Sequence, residues 1–187
     1  MILITSGARS IVQYIRSRGC LQCEFNSCAR HVRWLWICWP RGTFERSCHT
    51  TFVDLAPECT QTAMRNSVTC GFEGQTSFVC ARAEDVLTDP LKFGLTEPYG
   101  LISITPPYEE VIYKVLIDAV CNSPLVVADT LVVIEYPVEM GSLPYILGTD
   151  KLYGIRNRKY GRTVLGLYVY RPNSKYDMRP LEFLAVT

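Results

Sequence analysis

Two consecutive prolines constrain this chain more sharply than any other pair of residues. In Ile102-Ser103-Ile104-Thr105-Pro106-Pro107-Tyr108-Glu109-Glu110 an apolar run ends at Thr105, the prolines follow, and a tyrosine precedes an amphipathic stretch. Pro106 has no N–H to give a ladder and Pro107 fixes φ again, so a strand must leave its sheet at Thr105. The Thr105 hydroxyl, the Pro106 carbonyl and the Tyr108 ring then stand beyond the strand tip. Open α/β sheets bind ligands outside the carboxyl ends of their strands. Thr105, Pro106, Pro107 and Tyr108 are therefore the expected active-site corner. The plainer alternative is a Pro-Pro turn closed by a packing tyrosine.

The segments around the corner alternate. Residues 51–55, 77–81, 99–105 and 130–136 read as strands, the last apolar through its centre as a strand buried on two sides should be. Pro57 suits a helix's first turn, Glu58 its positive end and Gly71 its stop, so residues 57–70 form a helix, with Cys59, Ala63, Met64 and Val68 expected inward. A short helix follows at 83–87. Val111, Ile112, Val115, Leu116, Ala119 and Val120 make an apolar stripe on another, with Glu110 and Lys114 outward. Val32 to Trp39 reads as a further buried strand, closed by Pro40 and Gly42. Residues 152–158 and 163–170 flank Lys159-Tyr160-Gly161 as an antiparallel hairpin. The expected class is α/β, a mostly parallel sheet with a C-terminal antiparallel hairpin. The domain spans residues 32–172, after a poorly defined segment 1–31 and before a tail at 173–187.

At 187 residues, 48% apolar and 20% charged, the chain can bury one sizeable core. No run of 18 apolar residues occurs, which argues against a membrane-spanning helix and a membrane partner. Nine cysteines, an odd number and widely spaced after Cys48, point to free thiols in a reducing intracellular compartment. The net charge of +1 hides a break in composition. Residues 1–46 hold seven arginines, no lysine, all three tryptophans and only Glu24 and Glu45 as acids. An Arg-rich, acid-poor start is what organellar transit peptides share, so cytoplasm, plastid and mitochondrion all stay open.

A strand ending in an acid (Phe52-Val53-Asp54), then Ala83-Glu84-Asp85 after the next strand, then Thr-Pro-Pro-Tyr, resembles a class I S-adenosylmethionine-dependent methyltransferase with its Rossmann-like sheet. The closing Arg158-Lys159-Tyr160-Gly161-Arg162-Thr163 is similar to the RsmD family, which methylates guanine N2 in small-subunit ribosomal RNA. The resemblance covers residues 47–172. It implies S-adenosylmethionine as cofactor, Asp54 as acceptor for its ribose hydroxyls, Ala83 and Glu84 near its adenine, and Gly42 and Thr43 as remnants of its glycine loop. It also implies that Thr105 and the Pro106 carbonyl hold the exocyclic amine of the target base while Tyr108 stacks on it. Ribosomal RNA or another nucleic acid would be the partner of a monomeric enzyme.

The sequence departs from the family twice. Asn or Asp usually stands where Thr105 does, and a neutral hydroxyl accepts less strongly than a carboxylate. The family's first strand ends in Leu-Asp-Leu-x-x-Gly-Thr-Gly, whereas this chain has Leu35-Trp36-Ile37-Cys38-Trp39-Pro40-Arg41-Gly42-Thr43. The genetic code accounts for the second departure. Trp-Ile-Cys-Trp-Pro is encoded TGG-ATH-TGY-TGG-CCN, and two bases on the same string reads Asp, Leu or Met, Leu, Ala. The codon before it reads Leu, Met or Val. Residues before about Gly42 thus read as translated partly out of frame, and weak or absent cofactor binding is expected of the polypeptide as written. A catalytically impaired RNA-binding protein is the alternative.

Seven basic residues and no acid lie between Lys151 and Lys175, interleaved with Tyr153, Tyr160, Tyr168 and Tyr170. Arg156, Arg158, Lys159 and Arg162 are therefore the candidate nucleic-acid contacts, with protection of a sheet edge as the competing role. Cys20, Cys23, Cys28 and His31 are soft ligands, but their spacing matches no common zinc knuckle and no metal is expected.

Overall fold

A computed structural model describes the backbone of residues 35–38 and the whole of residues 49–108 and 112–184. The strands are β1 (Leu35–Cys38), β2 (Thr50–Asp54), β3 (Thr76–Cys80), β4 (Tyr99–Ile104), β5 (Val126–Pro137), β6 (Ile146–Leu147), β7 (Leu152–Tyr160) and β8 (Thr163–Tyr170). The helices are α1 (Pro57–Thr69), α2 (Ala83–Thr88) and α3 (Tyr113–Asn122). The eight strands form one sheet in the order β3-β2-β1-β4-β5-β8-β7-β6. The expected segment 1–31 and the cysteines within it lie outside the described residues. No described helix is long and apolar enough to cross a membrane.

The α/β class and the C-terminal hairpin stand, but the sheet is mixed where a mostly parallel one was expected. β2 pairs parallel with β3 and β4 with β5, while β1 runs antiparallel to both β2 and β4. The four strands β2 to β5 therefore point one way and the strand between them points the other. Chain length is the reason. A parallel neighbour needs a crossover of a dozen or more residues, usually with a helix. Only residues 39–49 separate Cys38 from Thr50, and Pro40 is among them. Cys38 accordingly sits opposite Thr50 and Leu35 opposite Val53, as in a hairpin.

Successive residues of each central strand feed opposite layers, as the two-residue period of a strand requires. Val53, Ile102, Ile104, Val132, Ile134 and Tyr136 join α2, α3 and Phe183 in one core. Phe52, Leu101, Val133, Ile155 and Leu167 join Ala63 of α1, with Tyr176 and Met178 at the margin, in the other. Two inward faces differ from expectation. α1 buries Thr60, Ala63 and Ser67, leaving Met64 and Val68 about half exposed. These small residues bring the helix close to β2 and β3, and the hydroxyls find partners at Pro57 O and Thr76 Oγ1. α3 buries Tyr113, Leu116, Ile117, Val120 and Cys121, so its stripe is rotated and Val115 faces out.

Residues 173–184 are no free tail. Asp129, at the left-handed φ of 67°, accepts from the N–H groups of Asn173 and Ser174 at 2.8 and 3.1 Å. Burial works against charge at Asp129, but the N–H groups of Ser174 and Asn173 outweigh it and hold its carboxyl below the usual range. A 3₁₀ turn, Pro180–Phe183, then inserts Phe183 beside Tyr145 and Tyr168. Gly154 makes room for it, since a Cβ there would run into the Phe183 ring. Glu182 accepts from the Asn157 N–H at 3.0 Å, so the turn is tied to β7 by hydrogen bonds as well as by packing. Phe183 is an apolar anchor that the segment's polar composition concealed.

Candidate functional site

Register brings the expected acid and the expected corner to one edge of the sheet. Val53 and Ile104 both lie opposite Leu35, so the residues after them, Asp54 and Thr105, stand at the same level. With β1 between their strands they are two strand spacings apart, about 10 Å. Asp54 also lies opposite Cys80, which puts Ala83 and Glu84, in the first turn of α2, beyond the neighbouring strand tip. Glu84 is half-buried and lies 3.9 Å from the Arg82 guanidinium. Asp54 Oδ1 accepts from the Ala56 N–H at 2.8 Å, which fixes the carboxylate just ahead of α1.

The corner itself is built as the prolines dictate. β4 ends at Ile104, and Thr105, Pro106, Pro107 and Tyr108 follow, all half-buried. The Tyr108 hydroxyl donates to Glu135 Oε1 at 2.7 Å and lies 2.9 Å from Thr163 Oγ1. A carboxylate only accepts, and a phenol has one hydrogen to give. The order is therefore fixed: Thr163 donates to Tyr108 and Tyr108 to Glu135. Burial, foremost, pushes the Tyr108 phenol up to about 12, with Glu135 adding to the shift against the Thr163 bond. The group stays neutral and able to donate throughout the physiological range. Glu135 lies within β5 and carries no local motif signal, whereas Thr163 begins β8 and closes the Arg158–Thr163 stretch that carries the resemblance, with nothing in that stretch pointing to Tyr108.

The cofactor edge is different. Gly42 and Thr43 lie outside the described residues. The strand they follow ends at Cys38, opposite Thr50 and Leu101, at the amino ends of β2 and β4. Its carboxyl end thus lies at the edge of the sheet opposite Asp54 and Thr105. Among the described residues no glycine turn leaves a parallel strand between Asp54 and the Pro-Pro corner. Among the same residues, the strand between Asp54 and Thr105 runs the wrong way to bring a backbone turn to S-adenosylmethionine at this edge.

Three of the four expected nucleic-acid contacts are held by acids. Arg156 meets Asp177 at 2.9 Å, Arg158 meets Glu182 at 3.2 Å and Arg162 meets Glu139 at 2.8 Å. Arg156, then Arg179, holds the Asp177 carboxyl below its usual range, and Arg162 does the same to Glu139. All three acids lie outside the 151–175 window, which is why the window read as purely cationic. Lys159 is exposed, and no described acid pairs with it. Among the described residues no cluster of ligands could hold a metal ion. Cys59, Cys70, Cys80 and Cys121 are free thiols.

A sheet with helices on both faces, an acid at one strand tip and Pro-Pro-Tyr at another two places away is methyltransferase-like. The family model described as conserved hypothetical protein 95 matches residues 45–169, and the chain belongs to that family, the RsmD-like methyltransferases. Similar solved structures include a conserved hypothetical protein of Streptococcus pyogenes, 20% identical with TM-score 0.55 over 64% of this chain and 70% of that one. The Escherichia coli protein yhhF, named as a candidate methyltransferase, is 19% identical with TM-score 0.54 over 64% and 62%. A candidate methylase of Haemophilus influenzae is 16% identical with TM-score 0.53 over 64% and 65%. At these identities the likeness is one of fold, and it spans less than two thirds of the second and third proteins. No protein of curated function matches the sequence. The family match opens at residue 45, beyond β1, Gly42 and Thr43.

Proposed function

We propose that the chain derives from an S-adenosylmethionine-dependent methyltransferase acting on the exocyclic amine of a nucleic-acid base, guanine N2 of small-subunit ribosomal RNA above others. We further propose that this polypeptide keeps the base-binding corner without a completed cofactor edge. One observation carries the reading: Asp54 and the Thr105–Tyr108 corner share an edge, and the strand between them enters reversed. In this reading Thr105 Oγ1 and the Pro106 carbonyl accept from the two hydrogens of the amine, Pro107 keeps the corner rigid, and the Tyr108 ring stacks on the base. Stacking on an aromatic ring contributes about 1–3 kcal/mol per base. Lys159 is the leading phosphate contact. Arg156, Arg158 and Arg162 contribute less because each must first leave its acid. The protein acts as a monomer in a reducing intracellular compartment.

The second reading, a frame error before about Gly42, is favoured by the short 39–49 connection and by the start of the family match at residue 45. The transcript across codons 30–45 tests it, and a clean in-frame sequence sinks it. The base-binding reading is tested by comparing a single-stranded oligonucleotide containing guanine with one containing inosine, which lacks only the 2-amine. The expected result is tighter binding of the guanine oligonucleotide, weakening with salt as phosphate contacts require. Equal binding of the two overturns it.

A further inference from the structure

Tyr108 raises a question that stacking alone does not answer. A phenylalanine would stack as well, yet the chain places a phenol here and brings an acceptor and a donor to it from distant segments. Glu135 is the tenth residue of β5 and Thr163 the first of β8, 27 and 55 residues from Tyr108. Both lie on one face of the sheet, because Thr163 is opposite Pro137 and Pro137 is two residues from Glu135. In the parallel register Ile104 is opposite Ile134, so Glu135 is level with Thr105, the first residue of the corner. The bond to the carboxylate, at 2.7 Å, is of the charge-assisted kind, roughly twice as strong as a neutral one.

We propose that Glu135 and Thr163 are positioning residues for base recognition: through the relay from Thr163 to Tyr108 to Glu135 they hold the Tyr108 ring at the angle a base must meet. The proposal rests on the base-binding reading and deepens it. The corner leaves the sheet at Thr105, so nothing within the strand ladder orients residue 108. The two side chains supply what the ladder does not, one strand on the far side of β5 included. Removing the relay leaves the fold and the ring in place but frees the ring to rotate. The first property lost is then discrimination at the amine, while general affinity for a strand stays.

The test uses the full chain, its Glu135→Gln and Thr163→Val variants and a Tyr108→Phe control. The two oligonucleotides, guanine and inosine, are titrated against each. Loss of one hydrogen bond in the relay should lower the guanine-over-inosine preference about threefold or more, with inosine affinity unchanged. Tyr108→Phe should lower it at least as far. A defect of folding would weaken both oligonucleotides alike and leave the ratio where it was. A second readout is independent of nucleic acid: a slowly exchanging Tyr108 hydroxyl proton in the NMR spectrum, assigned by its absence in Tyr108→Phe and weakened in Glu135→Gln. Unchanged preference in both variants, in a wild type that discriminates, overturns the proposal. A wild type without preference overturns the base-binding reading alone, and the hydroxyl resonance then decides the relay by its presence or absence.

Discussion

The two ends of the site reach the same edge of the sheet by different means. The corner at Thr105–Tyr108 is fixed locally by two prolines and then held from β5 and β8. The cofactor edge depends on one strand whose direction is set by the length of the chain that follows it. With residues 39–49 as the only connection, β1 closes as a hairpin and its carboxyl end falls on the wrong side. A proline corner survives changes upstream of it. A glycine loop does not, because it exists only at the end of a strand running the right way.

The largest expected effect lies away from both, at the C-terminal anchor on β7. Phe183→Ala should cost about 3–5 kcal/mol, as buried Phe-to-Ala changes do, lowering Tm by roughly 6–20 °C. Calorimetry checks this, and a change under about 1 kcal/mol would mean that residues 173–184 do not hold β7. Next, Tyr108→Ala should remove about 1–3 kcal/mol of affinity for a guanine oligonucleotide while the melting curve stays cooperative. An unchanged affinity would reduce the corner to a packed turn.

These expectations differ in how far the sequence foretold them. The end of β4 was legible because proline chemistry is local, and so were the start and stop of α1 at Pro57 and Gly71. The direction of β1 was not read, although the shortness of 39–49 that denies a glycine loop and helix also denies a parallel crossover. Apolar content says that Leu35–Cys38 can be buried, not which way it runs. Met64 and Val68 were misassigned because Thr60 and Ser67, polar by composition, are the residues small enough to face the sheet. The arginine cluster looked purely cationic because Asp177, Glu182 and Glu139, which pair with Arg156, Arg158 and Arg162, come from outside the window. Glu135 carries no signal until the sheet is assembled, and Thr163, though part of the Arg158–Thr163 motif, gives no sign of its contact with Tyr108 before then.

A smaller effect sharpens the role of residues 173–184. Asp129 and Asp177 have their carboxyls held below the usual value, near 3.9. A carboxyl depressed in the folded state stabilises it above the unfolded value and loses that contribution as pH falls below the unfolded value and through the lower folded one. Tm should therefore fall more steeply from pH 5 to pH 3 in the wild type than in Asp129→Asn, and parallel curves would remove Asp129 from the account. The smallest effect is expected at Arg162, which is exposed and pairs with an exposed Glu139. Arg162→Ala should leave Tm unchanged, as exposed pairs generally do. A clear loss would mean that the pair braces the β7–β8 turn.

The contrast between the built corner and the edge entered by a reversed strand meets its most direct test in isothermal titration of this polypeptide with S-adenosylmethionine. The expected result is no saturable heat at concentrations up to about 1 mM, which places binding weaker than about −4 kcal/mol. Micromolar affinity, about −8 kcal/mol, would contradict it. The reversed strand would then be no obstacle, and the cofactor would have to be held by residues other than the family's glycine loop.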